Sequence, residues 1–298
     1  MAVSMMRQEL TATVDEFDKP LEPSAVRELV RSEQDEVIEF LSNRPIHTVF
    51  MAGLIRDNGL LSPRNRGSFY GCRNRFGELE GVALIGHATV VEANTENALI
   101  GFARVARNCH NAHLIRGERD AVHTFWSFYA GTGRVPRLIS EELLYGLSDP
   151  LTTTDRLVDL RPATLNDLEK VLAVNSSMAF EEGGISPLQR DPSGFRSRMT
   201  RRIEQGRVWT WFEDQRLVFK ADIVSETPQA AYLEGIYVHP EERRKGYAMR
   251  GLTQLSSMLL QKSNSVCLSV NQRNKSAIAL YTKAGYQFYS HYETIYLR

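Results

Sequence analysis

The stretch Tyr237-Val-His-Pro-Glu-Glu-Arg-Arg-Lys-Gly-Tyr-Ala248 decides the fold of this chain. The apolar run before it predicts a β-strand over 232–238, which Pro240 brings to an end. After it, apolar residues recur at the spacing of one helix face, and these are Ala248, Leu252, Leu255 and Leu259. The stretch therefore joins a strand to a helix through a short basic turn.

Such a turn favours an anion-binding site. The N–H groups in the first turn of a helix have no carbonyl partner, and the helix dipole places partial positive charge there. Arg243, Arg244 and Lys245 add full charges, and Gly246 lets the backbone adopt a left-handed conformation or approach a ligand closely. A solvated basic loop is the alternative that the turn alone leaves open.

The chain after this helix has a second pattern. Alternating apolar residues predict a strand over 266–270, and Asn274 is a suitable N-cap for a helix that carries Leu280 and Tyr281. Gly285 is a suitable C-cap, and two strands are predicted to follow at 286–289 and 292–297. Strand and helix therefore alternate on both sides of the basic turn.

Two segments resemble signatures of the GNAT superfamily of N-acetyltransferases. Arg243-Arg-Lys-Gly246-Tyr-Ala248 is similar to its acetyl-CoA pyrophosphate loop, Arg/Gln-x-x-Gly-x-Gly/Ala. The segment from Asn271 to Tyr286 is similar to its second signature, which usually ends Gly-Phe where this chain has Gly285-Tyr286. The resemblance covers about 155–298, where the predicted elements follow the GNAT order. It implies an α+β fold with a mixed, mainly antiparallel sheet flanked by helices.

The N-terminal half repeats this order of elements more faintly, which predicts two tandem GNAT-like domains. Its junction Val91-Glu-Ala-Asn-Thr-Glu96 lacks the glycine signature and carries two carboxylates, so it should repel an anion. An unrelated α/β domain is the alternative. We predict an arm at 1–25, a degenerate domain without a CoA loop at 26–147, a linker at 148–155 and a catalytic domain at 156–298. This layout is similar to that of glycine N-acyltransferase-like proteins.

The resemblance implies that acetyl-CoA is the co-substrate. In the superfamily, the strand before the loop binds the pantetheine arm and splays from its neighbour, while a strand N–H polarises the thioester carbonyl. Here that N–H belongs to Ile236 or Val238, and the pyrophosphate would lie on the N–H groups of 244–248. The cofactor-binding residues that this predicts are Ile236, Tyr237, Val238, Arg243, Arg244, Lys245, Gly246, Tyr247, Ala248, Asn271 and Asn274.

Four residues are candidates for chemistry or acceptor binding. Glu234, in the same strand, is the candidate general base, with a carboxylate without chemistry as the alternative. Tyr281 matches the family tyrosine that protonates the leaving thiolate, a role that suits a phenol, with core packing as the alternative. Glu181 and Glu182 lie where this fold covers the acceptor, so they could attract a cationic amine or simply be solvated.

Composition narrows the function classes. The 298 residues contain 36 Lys and Arg against 36 Asp and Glu, so no net charge favours nucleic acid or an anionic membrane. The three cysteines lack metal-type spacing, and we predict no metal, no disulfide and a reducing, cytoplasmic location. No segment has the length and apolar character of a membrane span. A homodimer stays an open alternative.

The predicted function is acetyl-CoA-dependent N-acetylation of a primary amine by direct attack. The sequence does not identify the acceptor, which is a small molecule or a protein. Protein lysine acetylation and transfer of longer acyl chains are alternatives within this class. A CoA-binding sensor or scaffold without activity is the alternative outside it.

Overall fold

This computed structural model describes residues 26–149 and 159–298, so the predicted arm and most of the predicted linker lie outside it. The N-terminal half forms, in chain order, the elements β1 (Arg27–Glu28), α1 (Gln34–Ser42), α2 (Pro45–Asn58), β2 (Gly67–Arg73), β3 (Leu79–Gly86), β4 (Ala88–Ala93), α3 (Glu96–Ala106), β5 (Leu114–Glu118), α4 (Arg119–Tyr129) and β6 (Pro136–Leu147). The C-terminal half forms β7 (Leu160–Pro162), α5 (Leu168–Gly183), α6 (Pro187–Arg190), α7 (Pro192–Glu204), β8 (Val208–Glu213), β9 (Arg216–Glu226), β10 (Ala231–Val238), α8 (Tyr247–Leu259), β11 (Val266–Asn271), α9 (Lys275–Lys283) and β12 (Gln287–Leu297).

The helices and strands around the basic turn form where the sequence predicts them. Asn274 caps α9, since its Oδ1 accepts the Ala277 N–H at 3.1 Å. The final pair of strands is a correction, because β12 runs unbroken through Ser290 and His291. This segment contains no Gly, Pro or Asn that would favour a turn.

The chain divides into two compact units. The first contains the described residues up to Arg44 together with Leu54–Glu141 and His291–Arg298. Its strands lie in the order β1-β2-β3-β4-β5, followed by the end of β12, and only β4 and β5 pair in parallel among the pairings described there. Phe102 of α3 and Phe125 of α4 are fully buried in its core.

The second unit contains Pro45–Gly53 and Glu142–Ser290. Its strands lie in the order β7-β8-β9-β10-β11, followed by the end of β6, and β10 and β11 pair in parallel while the other described pairs are antiparallel. Its core joins Phe219, Leu233 and Leu268 of the sheet to Leu252 and Leu255 of α8. Both units thus confirm the predicted α+β fold with mixed, mainly antiparallel sheets.

The units do not follow the contiguous bounds 26–147 and 156–298. The end of β6 pairs with β11, where Val266–Asn271 lie opposite Leu147–Glu142, and the end of β12 pairs with β5. The start of α2 also belongs to the second unit, since Ser225 Oγ donates to the Val49 carbonyl at 2.6 Å. Pairing between distant strands leaves no local signal, so composition alone does not reveal this exchange of segments.

The contact of α8 with β9 is close enough to test. A Cβ added to Gly251 would lie 2.7 Å from the nearest atom of the Phe219 ring. Alanine is a better helix former than glycine by about 1 kcal/mol. We nevertheless expect Gly251→Ala to lower the free energy of unfolding by about 1–3 kcal/mol, because overpacking outweighs that gain. Urea denaturation measures the effect, and Ser257→Ala on the same helix is the control; a stabilised Gly251→Ala protein would contradict it.

Within residues 26–149 and 159–298, none of the helices combines the length and the apolar character needed to cross a bilayer.

Candidate functional site

The parallel strands β10 and β11 separate halfway along their length. They pair only from Ala231 opposite Val266 to Leu233 opposite Leu268, although β10 continues to Val238 and β11 to Asn271. Backbone groups beyond Leu233 on this side of β10 therefore face a gap instead of a partner strand. This gap is a slot at the carboxyl end of the strands, where open α/β sheets bind ligands.

The other side of β10 contains a β-bulge next to this slot. Glu234 lies opposite Asp222 and Tyr237 opposite Lys220, so Gly235 and Ile236 together oppose one residue of β9. Gly235 has a φ of +59°, a left-handed conformation that glycine adopts without strain. The bulge bends the strand at the residues that the sequence assigned to the pantetheine arm and the thioester.

The basic turn that follows β10 forms a cradle of backbone N–H groups. A short turn over Pro240–Glu242 leads to Arg244 and Gly246, whose φ values of +64° and +87° are both left-handed. Helix α8 begins at Tyr247, and the Arg250 N–H makes a bond to the Gly246 carbonyl at 3.1 Å. The amides before Arg250 lack such a partner within the helix, so they are available to an anion.

The charged residues of the turn have different surroundings. Lys245 Nζ lies 2.9 Å from Glu242 Oε2, and this hydrogen bond lowers the pKa of the Glu242 carboxyl below its usual value. Arg243 and Arg244 are exposed and make no ion pair within the described residues. The two arginines are therefore the cations most accessible to a phosphate, whereas Lys245 already has a carboxylate partner.

The two predicted asparagines lie at the end of β11 and the start of α9. Asn271 Oδ1 accepts the Arg273 N–H at 2.9 Å. Asn274 Oδ1 accepts from Ala277 N–H and Ser276 Oγ. Both carbonyl oxygens thus shape the loop.

The candidate catalytic residues surround the slot. Glu234 is half-buried in β10, and its charge acts on the buried Lys220. Tyr281 of α9 is 7% exposed, and its ring lies 6.4 Å from Tyr145 and 6.1 Å from Tyr286. The Tyr281 ring therefore packs in the core, which is the alternative that the sequence left open for this residue. Burial and then the charge of Glu182 raise the pKa of its hydroxyl above the usual value, so the group stays protonated at neutral pH.

The end of α5 brings the two predicted acidic residues toward these tyrosines. Glu181 and Glu182 are exposed in the last turn of the helix. Burial raises the pKa of Tyr237. The charge of Arg243 lowers this pKa, and the charge of Glu181 raises it. Glu182 acts in the same way on Tyr281, so the two carboxylates influence tyrosines on β10 and α9.

Sequence reasoning missed a buried ion pair below the bulge. Lys220 and Asp222 lie in β9 with 0% and 4% of their side chains exposed, and Lys220 Nζ lies 2.7 Å from Asp222 Oδ1. A lysine and an aspartate two positions apart in an otherwise apolar strand are the signal that could have found them. Gly235 inside an apolar strand similarly signals a bulge.

The corresponding junction of the first unit has different chemistry. Helix α3 begins after Thr95, whose side chain accepts the Ala98 N–H at 3.3 Å. Near the ends of the parallel strands β4 and β5, Arg44 lies 2.9 Å from Glu92 and 2.5 Å from Glu118. An arginine bound to two carboxylates occupies this region, and burial raises the pKa of Glu92.

The comparisons with known proteins agree with this geometry. Residues 220–295, which include the bulge, the basic turn and α9, match the FR47-like protein family. A solved structure described as a tandem GNAT protein matches across both halves of the chain. The chain has a tandem GNAT fold. The comparison with curated proteins gave no match.

Three solved structures illustrate how much of this GNAT fold is shared. A Drosophila protein has a TM-score of 0.69 and 13% identity, covering 92% of this chain and 99% of its own. An N-acetyltransferase from Sphaerobacter thermophilus has a TM-score of 0.56 and 14% identity, covering 92% and 96%. A tandem GNAT protein from the clavulanic acid biosynthesis pathway has a TM-score of 0.55 and 14% identity, covering 91% and 98%. At these identities the similarity concerns the fold.

Proposed function

We propose that this protein is an acetyl-CoA-dependent N-acetyltransferase that acts on a primary amine. One observation carries the proposal, namely that the slot between β10 and β11 ends at a left-handed basic turn. The slot begins after Leu233, and the turn places Arg244 and Gly246 in left-handed conformations before α8. An extended acyl thioester fits a slot between strands, and a pyrophosphate fits a helix N-terminus.

The residues of the second unit fit acetyl-CoA in both charge and space. A Cβ added to Gly246 would have only Arg250 Nε nearby, at 3.9 Å, so the space above this glycine is open. Arg243 and Arg244 would meet the pyrophosphate, together with the N–H groups of 244–248. Residues 236–238 of β10 would hold the pantetheine arm through backbone bonds, and Asn271 and Asn274 would contact it from the end of β11 and the start of α9.

Acetyl-CoA supplies an activated acyl group in this reaction, and the protein supplies orientation and proton transfer. Glu234 accepts a proton from the ammonium group, and the neutral nitrogen bonds to the thioester carbonyl carbon, losing a second proton to solvent as the amide forms. The backbone N–H of Ile236 or Val238 stabilises the oxyanion. As the C–S bond breaks, Tyr281 donates its hydroxyl proton to the thiolate and regains one from solvent. The Tyr281 hydroxyl is protonated at neutral pH, as a proton donor must be, although burial raises its pKa and so makes it a weaker acid.

Glu181 and Glu182 support a cationic acceptor. Both carboxylates are exposed at the end of α5, beside Tyr237 and Tyr281. A protonated amine would be attracted to this position before it loses its proton to Glu234. The acceptor is therefore proposed to be an amine that is cationic at neutral pH.

The first unit is proposed not to bind CoA. Its helix cap is satisfied by Thr95, and Arg44, Glu92 and Glu118 occupy the region next to β4 and β5. Isothermal titration of the full chain with CoA is expected to give one site per chain, because only the second unit has a basic glycine turn. Arg44→Ala is expected to leave this stoichiometry unchanged. Two sites per wild-type chain would contradict the assignment.

The proposed activity is tested by incubating the full chain with acetyl-CoA and a panel of amines while the release of free thiol is measured. The panel contains amino acids, polyamines, aminoglycosides and lysine peptides, and a parallel series uses longer acyl-CoA donors. Acyl transfer to any primary amine supports the proposal, and the preferred acceptor separates small molecules from proteins. CoA binding without transfer across the panel would instead favour a sensor or scaffold.

A further inference from the structure

The Lys220–Asp222 ion pair lies below the bulge. It belongs to a group of four charged side chains that also contains Arg202 and Glu234. Asp222 Oδ2 accepts from Asn175 Nδ2 at 3.2 Å and lies 3.4 Å from Arg202 Nη1. Glu234 is the cross-strand neighbour of Asp222, so their side chains lie on the same face of the sheet. Two cations and two carboxylates thus face one another beneath helices α5 and α7. The group is neutral overall.

Stability alone does not account for this group. Removing two charges from water has a large free-energy cost, and apolar residues in place of a buried ion pair often leave a protein equally stable or more stable. Burial lowers the pKa of the Lys220 ammonium, against the opposing charges of Asp222 and Glu234. Beyond its ion pair, Lys220 Nζ has no hydrogen-bond partner within residues 26–149 and 159–298. The presence of the Lys220–Asp222 pair at this position therefore needs an explanation other than stability.

Lys220 packs directly against the bulge glycine. A Cβ added to Gly235 would lie 2.8 Å from Lys220 Nζ and 3.1 Å from Asp222 Oδ2. The ion pair therefore fills the space that the side chain of an ordinary strand residue would need. The same strand segment carries Glu234 on one side of the glycine and Ile236 on the other.

We propose that Lys220 and Asp222 are positioning residues for acyl transfer: their ion pair supports Gly235 and holds the bulge of β10 in its reactive orientation. The inference rests on the proposed acyltransferase activity. Through the bulge, the pair fixes both the Glu234 carboxylate and the backbone N–H of Ile236, which are the candidate base and an oxyanion donor. Neither Lys220 nor Asp222 touches the reacting atoms, since both are buried below the strand.

The test replaces the pair by uncharged residues of similar size, Lys220→Met with Asp222→Asn, in the full chain. We expect kcat to fall about 100-fold, the loss expected when reacting groups are misplaced by about 1 Å. The KM for acetyl-CoA and the Kd for CoA are expected to change much less than kcat, since the turn at 243–248 is intact and only the pantetheine contacts of 236–238 are loosened. Lys170→Met is the matched control, because Lys170 is an exposed lysine of the same unit. It should change neither value.

Hydrogen exchange provides a readout that does not depend on activity. The amides of Gly235 and Ile236 are expected to exchange faster in the double variant than in the wild type and in Lys170→Met. If the double variant does not fold, Gly235→Ala is used instead, because its added methyl group disturbs the contact between Gly235 and Lys220. It should also lower kcat far more than it changes KM. An unchanged kcat, or unchanged exchange at the bulge, would overturn the inference. A wild-type chain without activity would instead contradict the proposed function, while the exchange result still decides whether the pair supports the bulge.

Discussion

Replacing Gly246 by valine is expected to weaken CoA binding at least about 100-fold, which corresponds to about 2.8 kcal/mol. The φ of Gly246 is +87°, and the space beside it is open apart from Arg250. A valine side chain would both strain this conformation and fill the space where a pyrophosphate would approach the backbone amides. Isothermal titration with CoA measures the loss.

Gly77→Val is the matched control for strain. Gly77 has a φ of +86°, and a Cβ there meets nothing within 4 Å. Both variants are expected to lose about 1–3 kcal/mol of stability, because each places a β-branched residue in a left-handed conformation. Only Gly246→Val should lose CoA affinity. Retained affinity in the folded Gly246→Val protein would refute the phosphate cradle.

Removing the charge of Glu234 or the hydroxyl of Tyr281 is expected to lower kcat by a factor of about 10²–10⁴ for each residue. Glu234→Gln removes the proposed proton acceptor, and Tyr281→Phe removes the proposed donor while the buried ring remains. The Kd for CoA should change little in both variants, because neither residue belongs to the turn that would hold the pyrophosphate. Steady-state kinetics at saturating acetyl-CoA measure kcat.

The control for Glu234→Gln is Glu226→Gln, a half-buried glutamate at the end of β9. Its kcat should match the wild type. For Tyr281→Phe, the free energy of unfolding separates chemistry from packing, since loss of a hydroxyl that only packs would change stability but not turnover. Normal kcat in Glu234→Gln and Tyr281→Phe would remove both assignments.

Much of the fold could be predicted because its signals are local. The spacing of Leu252, Leu255 and Leu259 predicts α8, and Asn274 predicts the start of α9, since helix faces and caps depend on residues a few positions apart. The two strands predicted after Gly285 are one strand, β12, because no turn residue interrupts it.

The candidate site was predictable in part for the same reason. The basic turn is a contiguous signature, so its left-handed glycine and its place before a helix followed from the residues themselves. The bulge and the Lys220–Asp222 pair were not predicted, because the pairing of β9 with β10 brings these residues together across a sheet. The nearness of Glu182 to Tyr281 depends on packing between residues about a hundred positions apart.

The stretch from Tyr237 to Ala248 by itself determined a strand, a basic turn and a helix start, because each depends on neighbours in the chain. The family resemblance predicted that this strand splays from its neighbour, but only the tertiary structure showed that β10 leaves β11 after Leu233, since the gap is a property of two strands. The tertiary structure also decided that β6 and β12 cross between the compact units. Hydrogen bonds between distant strands are chosen by the packing of the whole fold, and no short segment of sequence encodes them.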